Sequence, residues 1–178
     1  MTNYLFIGDL HGHASELKKL LGNAGFLPFG ESFRHPNLKA AFVGDFINRG
    51  QENLACLRIV RAMVESGDAI AVPGNHEVIF LNYHQKDPRT KEYTMPNRNG
   101  WNKLLQNTMQ EFGNHTKELD EMLRWLRLLP VVVEERDFNL VHACYDLDSI
   151  ELLRDRTHGT FSLGEDHWLM MGLGEDPA

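Results

Sequence analysis

With 178 residues, 42% apolar and 24% charged, the chain has the make-up of one soluble globular domain, and no run approaches the roughly 18–20 apolar residues of a membrane span. A formal net charge of −7 without any Lys/Arg run excludes broad binding to duplex nucleic acid or to an anionic membrane. Two cysteines, Cys56 and Cys144, are too few for a disulfide framework and point to a reducing, cytoplasmic setting.

The opening Met1-Thr2-Asn3-Tyr4 has no basic segment, and Asp9 interrupts the first apolar stretch, so no secretory signal is expected. Residues 4–7, 40–43 and 69–72 are continuous apolar runs bounded by Gly, Asp or Pro, the pattern of strands buried on both faces of a parallel sheet. Between them, Leu17, Leu20, Leu21 and Ala24 share one helical face of 13–24, and Leu54, Leu57, Val60 and Val64 share one of 51–66. Strand–helix–strand alternation with short links is the βαβ signature, and it brings the loops after the strands together.

Residues 85–99 are polar, hold two prolines and read as a surface loop. Helices are expected over 100–112 and 116–129, ending before Pro130. The single domain spans 1–178, and 85–129 reads as a loop-plus-helices insertion able to overhang the strand ends. Val131–Val133 and Leu140-Val141 resume strand character around a turn at Arg136-Asp137; 146–157 is expected to be helical, and 158–178 gives no clear element.

Three blocks follow the three apolar runs: GDLHG at 8–12, GDFINRG at 44–50 and GNHE at 74–77. Val141-His142-Ala143 adds one more imidazole after Leu140. Asp9 and His11, at i and i+2 on a strand exit, can address one ion, and Asp45 has two oxygens with which to bridge two ions. Asn75 offers an amide oxygen and His142 a ring nitrogen. Nitrogen and oxygen donors without thiolate suit Mn, Fe, Zn or Co. Two such ions, about 3.5–4 Å apart, clamp the attacking and leaving oxygens of an in-line displacement. An acidic chain handling an anion needs positive charge brought locally, and metals supply it. His76 is placed to be the general acid for the leaving oxygen, and Arg49 can grip phosphate oxygens through its planar fork. His13 reads either as a residue beside the pocket or as the start of a helix, and Cys144 as a small buried thiol rather than a nucleophile.

These blocks resemble the calcineurin-like metallophosphoesterase superfamily, and within it most the branch of PPP-type Ser/Thr protein phosphatases and bacterial symmetrical diadenosine tetraphosphatases. The resemblance covers residues 4 to about 145. It implies a four-layer α/β/β/α sandwich with Asp9 and His11 on the first metal, Asp45 bridging, Asn75 and a strand-borne His142 on the second, His76 as acid and Arg49 as phosphate clamp. Two divalent transition metals, manganese before iron or zinc, are the cofactors it implies. Two departures stand out. The branch carries an aspartate that orients and charges the third-block histidine where this chain has Asn48, a neutral amide that can only orient it. The branch also has a late Gly-His metal block; the residues after His142 contain none, and His158 and His167 are the only imidazoles there. The expectation is therefore a chain lacking the sandwich's C-terminal strands, with an incomplete second site. The expected activity is metal-dependent hydrolysis of phosphate esters, first as a phosphoprotein phosphatase and alternatively as a diadenosine polyphosphate hydrolase. A contrasting reading is a catalytically weakened protein-binding scaffold.

Overall fold

A computed structural model describes residues 2–95 and 98–163. Three parallel strands, β1 (Asn3–Ile7), β4 (Leu38–Phe42) and β5 (Ala69–Ala71), form a sheet in the order β1-β4-β5. The remaining strands form two antiparallel pairs: β2 (Leu27–Phe29) with β3 (Ser32–Arg34), and β6 (Val133–Glu134) with β7 (Asn139–Leu140). The helices are α1 (Ala14–Asn23), α2 (Asn53–Glu65), α3 (Asn75–His84), α4 (Arg98–Phe112), α5 (Thr116–Leu128) and α6 (Leu147–Arg156). None is long and apolar enough to cross a membrane, among the described residues.

The central strand shows why the apolar runs are continuous. Ala40, Ala41 and Phe42 are all buried, and successive side chains of a strand point to opposite faces. Ala40 and Phe42 join the helices in the main core with Leu21, Leu57, Met63 and Phe80. Ala41 faces the other way, into a smaller cluster with Val72 and Leu140, against which Val133 and Phe138 pack. The α/β class holds, and among the described residues the strand pair that packs on the Ala41 face of the parallel sheet is the β6–β7 hairpin.

Neither α1 nor α2 caps its own start. Both Ser15 N–H and Ser15 Oγ donate to the Glu52 carboxylate, at 2.9 and 2.6 Å, and the backbone N–H groups of Asn53 and Leu54 donate to Glu111 at 2.9 and 2.8 Å. The unsatisfied N–H groups of each first turn are met by a carboxylate from elsewhere in the chain, which suits the positive end of the helix dipole.

Several expectations need correction. Leu20 is 43% exposed, so the buried face of α1 runs through Ala14, Leu17 and Leu21. Helix α3 has no counterpart in the periodicity, because Val78, Ile79, Phe80 and Leu81 follow one another without 3.6-residue spacing. The β2–β3 hairpin was equally silent, since Leu27 and Phe29 are exposed and Pro28 argues against a strand. His142 is not on a strand: it lies two residues past β7, where the chain has already turned. The helices of the 85–129 stretch do more than overhang the strand ends, because Leu105, Phe112, Met122 and Trp125 are part of the main core. His158 is exposed in the turn after α6, and His167 lies outside the described residues.

Candidate active site

The three motif loops leave the carboxyl ends of β1, β4 and β5 side by side, and backbone hydrogen bonds lace them together. Leu10 N and His11 N both donate to Asp45 O at 2.9 Å, and Gly12 N donates to Phe46 O at 2.9 Å. Gly50 N returns to His11 O at 2.8 Å. His11, Asp45, Asn48 and Arg49 all have positive φ, at 43, 53, 71 and 69°. A run of non-glycine residues in this region is strained and persists only where the surroundings over-determine it. Two glycines permit the close approach: a Cβ at Gly74 would overlap Asp45 N and Oδ1, and one at Gly50 would overlap Gly12 O.

Glu77 holds the centre together. Fully buried, its carboxylate accepts from Asp45 N and Gly74 N at 2.8 Å, Phe46 N at 2.9 Å and Ile47 N at 3.3 Å. Burial pushes its carboxyl up to about 7; the Asp45 charge adds to this, while the backbone donors of Gly74, Phe46 and Asp45 oppose it. The sequence reading gave Glu77 no role. The available signal was an acidic residue at the third position of a helix, where a carboxylate reaches back to the N-cap N–H.

The expected ligands converge. His11 Nε2 is 3.5 Å from Asp9 Oδ2 and 3.8 Å from Asp45 Oδ2. His142 Nε2 is 3.6 Å from Asp45 Oδ1 and 3.1 Å from Asn75 Oδ1. His76 Nε2 lies 3.9 Å from Asp45 Oδ2, and its backbone N–H donates to Asp45 Oδ1 at 3.0 Å. Asp45 is thus the hub. Asp9 and Asn75 stand exposed at the rim, and Arg49 is exposed at the loop tip.

Ring chemistry tests whether these residues fit a metal. His11 Nδ1 faces Ile47 O at 3.2 Å and His142 Nδ1 faces Val43 O at 2.7 Å. A carbonyl only accepts, so Nδ1 carries the proton in both rings and Nε2 presents a lone pair. Those lone pairs point at carboxylate and amide oxygens, and His11 Nε2 is buried without a hydrogen-bond partner. Electron pairs converging from nitrogen and oxygen call for a cation between them, and a metal-binding histidine commonly donates its other N–H to a backbone carbonyl. The residues fit.

His76 is different. Burial lowers its pKa from the ordinary value; Asp45 opposes this, and His11 and Arg49 reinforce it. Its Nδ1 meets the side chain of Asn48 at 2.9 Å, and Asn48 is itself fully buried. The two cysteines stand apart from this chemistry. Cys56 is buried in α2 and its thiol is pushed up to about 12, mainly by burial and further by Glu52 and Glu111, whereas Cys144, expected to be buried, is exposed past the end of β7. Only the thiolate is nucleophilic. A thiol reagent at neutral pH should therefore label one equivalent quickly, at Cys144, and the second only on unfolding; two equally fast equivalents would contradict the burial of Cys56.

A family model described as calcineurin-like phosphoesterase matches residues 2–169. The symmetrical bis(5'-nucleosyl)-tetraphosphatase of Actinobacillus succinogenes is 34% identical over 147 residues, 80% of this chain and 44% of that protein. The asymmetrical bis(5'-nucleosyl)-tetraphosphatase PrpE of Halalkalibacterium halodurans is 42% identical over 71 residues, 39% of this chain and 29% of that protein. The chain thus spans less than half the length of these curated relatives. Among solved structures, the cold-active protein-tyrosine phosphatase of a psychrophilic Shewanella shares the fold, with a TM-score of 0.60 at 16% identity, covering 99% of this chain and 56% of that one.

Proposed function

We propose, given that this chain belongs to the calcineurin-like phosphoesterase family, that it hydrolyses the phosphoanhydride of a dinucleoside polyphosphate with two divalent transition-metal ions as cofactors. The observation that carries the metal-dependent hydrolase is the convergence of the His11 and His142 lone pairs on the oxygens of Asp9, Asp45 and Asn75. Asp9, His11 and Asp45 would hold the first ion, and Asp45, Asn75 and His142 the second. Nitrogen and oxygen donors without thiolate suit manganese, iron, zinc or cobalt, and the family resemblance puts manganese first. When bound, the ions supply Lewis-acid polarisation of phosphoryl oxygens and a nucleophile at neutral pH. Arg49, exposed at the loop tip, would bind non-reacting phosphate oxygens through its fork. Water adds to phosphorus and releases a proton to solvent, the bond to the leaving oxygen breaks, and that oxygen departs as a phosphate anion steadied by a hydrogen bond from His76 Nε2–H.

The phosphoprotein expectation gives way to its alternative here. Relatives 30–34% identical over about four-fifths of the chain bear the name symmetrical bis(5'-nucleosyl)-tetraphosphatase. Asn48 argues the same way. Without an aspartate to hold a charge on it, and with burial lowering its pKa, His76 offers a hydrogen bond and not a proton, which suffices for a departing phosphate with a second pKa of about 6 but serves the far less acidic hydroxyl of a protein side chain poorly.

The test sets a dinucleoside tetraphosphate against a serine phosphopeptide, each with the full chain and added Mn²⁺. The dinucleotide should turn over faster, with two nucleoside diphosphates as the product of symmetrical cleavage. Preference for the phosphopeptide would restore the phosphatase reading, and no turnover of either by a fully loaded protein would favour the scaffold.

Metal removal supplies a readout independent of turnover. A site that binds only the folded chain adds about 2.7 kcal/mol at a hundredfold excess over its Kd, or about 5–10 °C in Tm for a chain of this size. Chelation should lower Tm by about that much, and Mn²⁺ should restore it. In titrations two equivalents should bind stepwise, the second more weakly through repulsion by the first. A Tm indifferent to chelator and metal would sink the proposed centre.

A further inference from the structure

Three buried side chains from three segments form a line behind His76. Thr108, in α4, is fully buried and its hydroxyl donates to Asn48 Oδ1 at 2.7 Å. Asn48, also fully buried, sets its Nδ2 2.9 Å from His76 Nδ1. The backbone of Asn48 is held as well: its N–H donates to Asn53 Oδ1 at 2.6 Å, and Asn53 Nδ2 donates to Glu111 Oε1 at 2.5 Å. Glu111 is the next residue along the face of α4 that carries Thr108, and the neighbouring Asn107 donates from Nδ2 to Gly50 O at 3.2 Å. Helix α4 therefore grips the 48–50 loop through side chain and backbone together.

An amide can meet a ring nitrogen in two ways: its oxygen accepts from N–H, or its NH2 group donates to a bare nitrogen. Oδ1 of Asn48 is already engaged by the Thr108 hydroxyl, so the group left for His76 has only hydrogens to offer. We propose that Thr108 is a positioning residue which, by fixing the Asn48 amide, keeps Nδ1 of His76 bare and its proton on Nε2, the nitrogen facing Asp45 Oδ2. This deepens the assignment of His76 as the hydrogen-bond donor to the leaving oxygen and rests on it. Distance alone does not make that assignment, because the coordinating atoms of His11, Asp45 and His76 all lie within 4.8 Å of one another. With the amide reversed, Nε2 of His76 would present a lone pair and the ring would be a further metal ligand. The orientation of one buried amide, set from α4, separates hydrogen-bond donor from ligand.

The ring nitrogens report the arrangement directly. In metal-free protein labelled with ¹⁵N-histidine at about pH 8, above the ordinary imidazole range, His76 should show a bare Nδ1 and a protonated Nε2. Thr108→Ser, which keeps the hydroxyl, should preserve that pattern. Thr108→Val frees Oδ1 and should give a mixture of both tautomers, with kcat for the dinucleotide down about ten-fold and KM unchanged. Asn48→Asp, with only acceptors to offer, should move the proton to Nδ1. Where Thr108→Val does not fold, Thr108→Ala, which removes the hydroxyl without placing a methyl group against the amide, takes its place. A protonated Nδ1 in the wild type, or an unchanged ring when the hydroxyl is lost, overturns the proposal. Because the ring is read without metal or substrate, a chain that hydrolyses no dinucleotide still tests it.

Discussion

Asp45→Asn should remove hydrolysis and empty both metal positions. Asp45 is 4% exposed, and its two oxygens are divided between the two halves of the site. Oδ1 accepts from His76 N at 3.0 Å and lies 3.6 Å from His142 Nε2, while Oδ2 lies 3.8 Å from His11 Nε2. An asparagine keeps one of these acceptors and turns NH2 hydrogens toward whatever the other oxygen faced. It also removes the buried negative charge. Loss of an outer partner of a metal site costs ten- to a hundred-fold, and a bridging ligand should cost more, so kcat is expected to fall by at least about a hundred-fold. The measurement pairs rate with Mn²⁺ stoichiometry and a circular dichroism spectrum. A folded variant that still binds two equivalents and keeps its rate would show that Asp45 does not bridge.

Glu77→Gln should act on the fold that makes the site, not on the chemistry. The carboxylate accepts four backbone N–H bonds, three of them from the loop that carries Asp45. A glutamine offers one oxygen and aims an NH2 group at donors, leaving buried N–H groups unmet. Each unsatisfied donor costs about 1–3 kcal/mol. A loss of about 3 kcal/mol corresponds to a Tm drop of about 6–12 °C for a chain of this length. Thermal melts of metal-free protein isolate this effect from ion binding. A Tm within 2 °C of wild type, which at about 2–4 °C per kcal/mol is under about 1 kcal/mol, would mean that the loop holds its shape without Glu77.

Much of the site was legible because its chemistry is local. A short apolar run followed by Gly-Asp or Gly-Asn-His announces a strand exit bearing ligands, and Asp9, His11, Asp45, Asn75 and His76 come together as that pattern implies. His142 also joins them, although it sits past the end of β7 and not on it. What stayed hidden acts through contacts between residues distant in sequence. Thr108 and Glu111 read as ordinary positions of an amphipathic helix, and nothing in 98–112 says that its buried face meets the 48–50 loop. Glu77 was visible as a letter of the motif but not as the acceptor of four N–H groups. Helix α3 escaped because it carries consecutive apolar residues, and burial on more than one side erases the amphipathic period.

The sequence by itself determined the α/β class, the order of the parallel strands' loops and the donor types available, because burial on two faces and ligand chemistry are properties of short segments. Only the tertiary structure decided which nitrogen of each imidazole faces the site. That choice depends on the atom opposite the other nitrogen: Ile47 O for His11, Val43 O for His142 and the Asn48 amide for His76. A ring's proton goes where an acceptor waits, and those partners lie 36, 99 and 28 positions away along the chain.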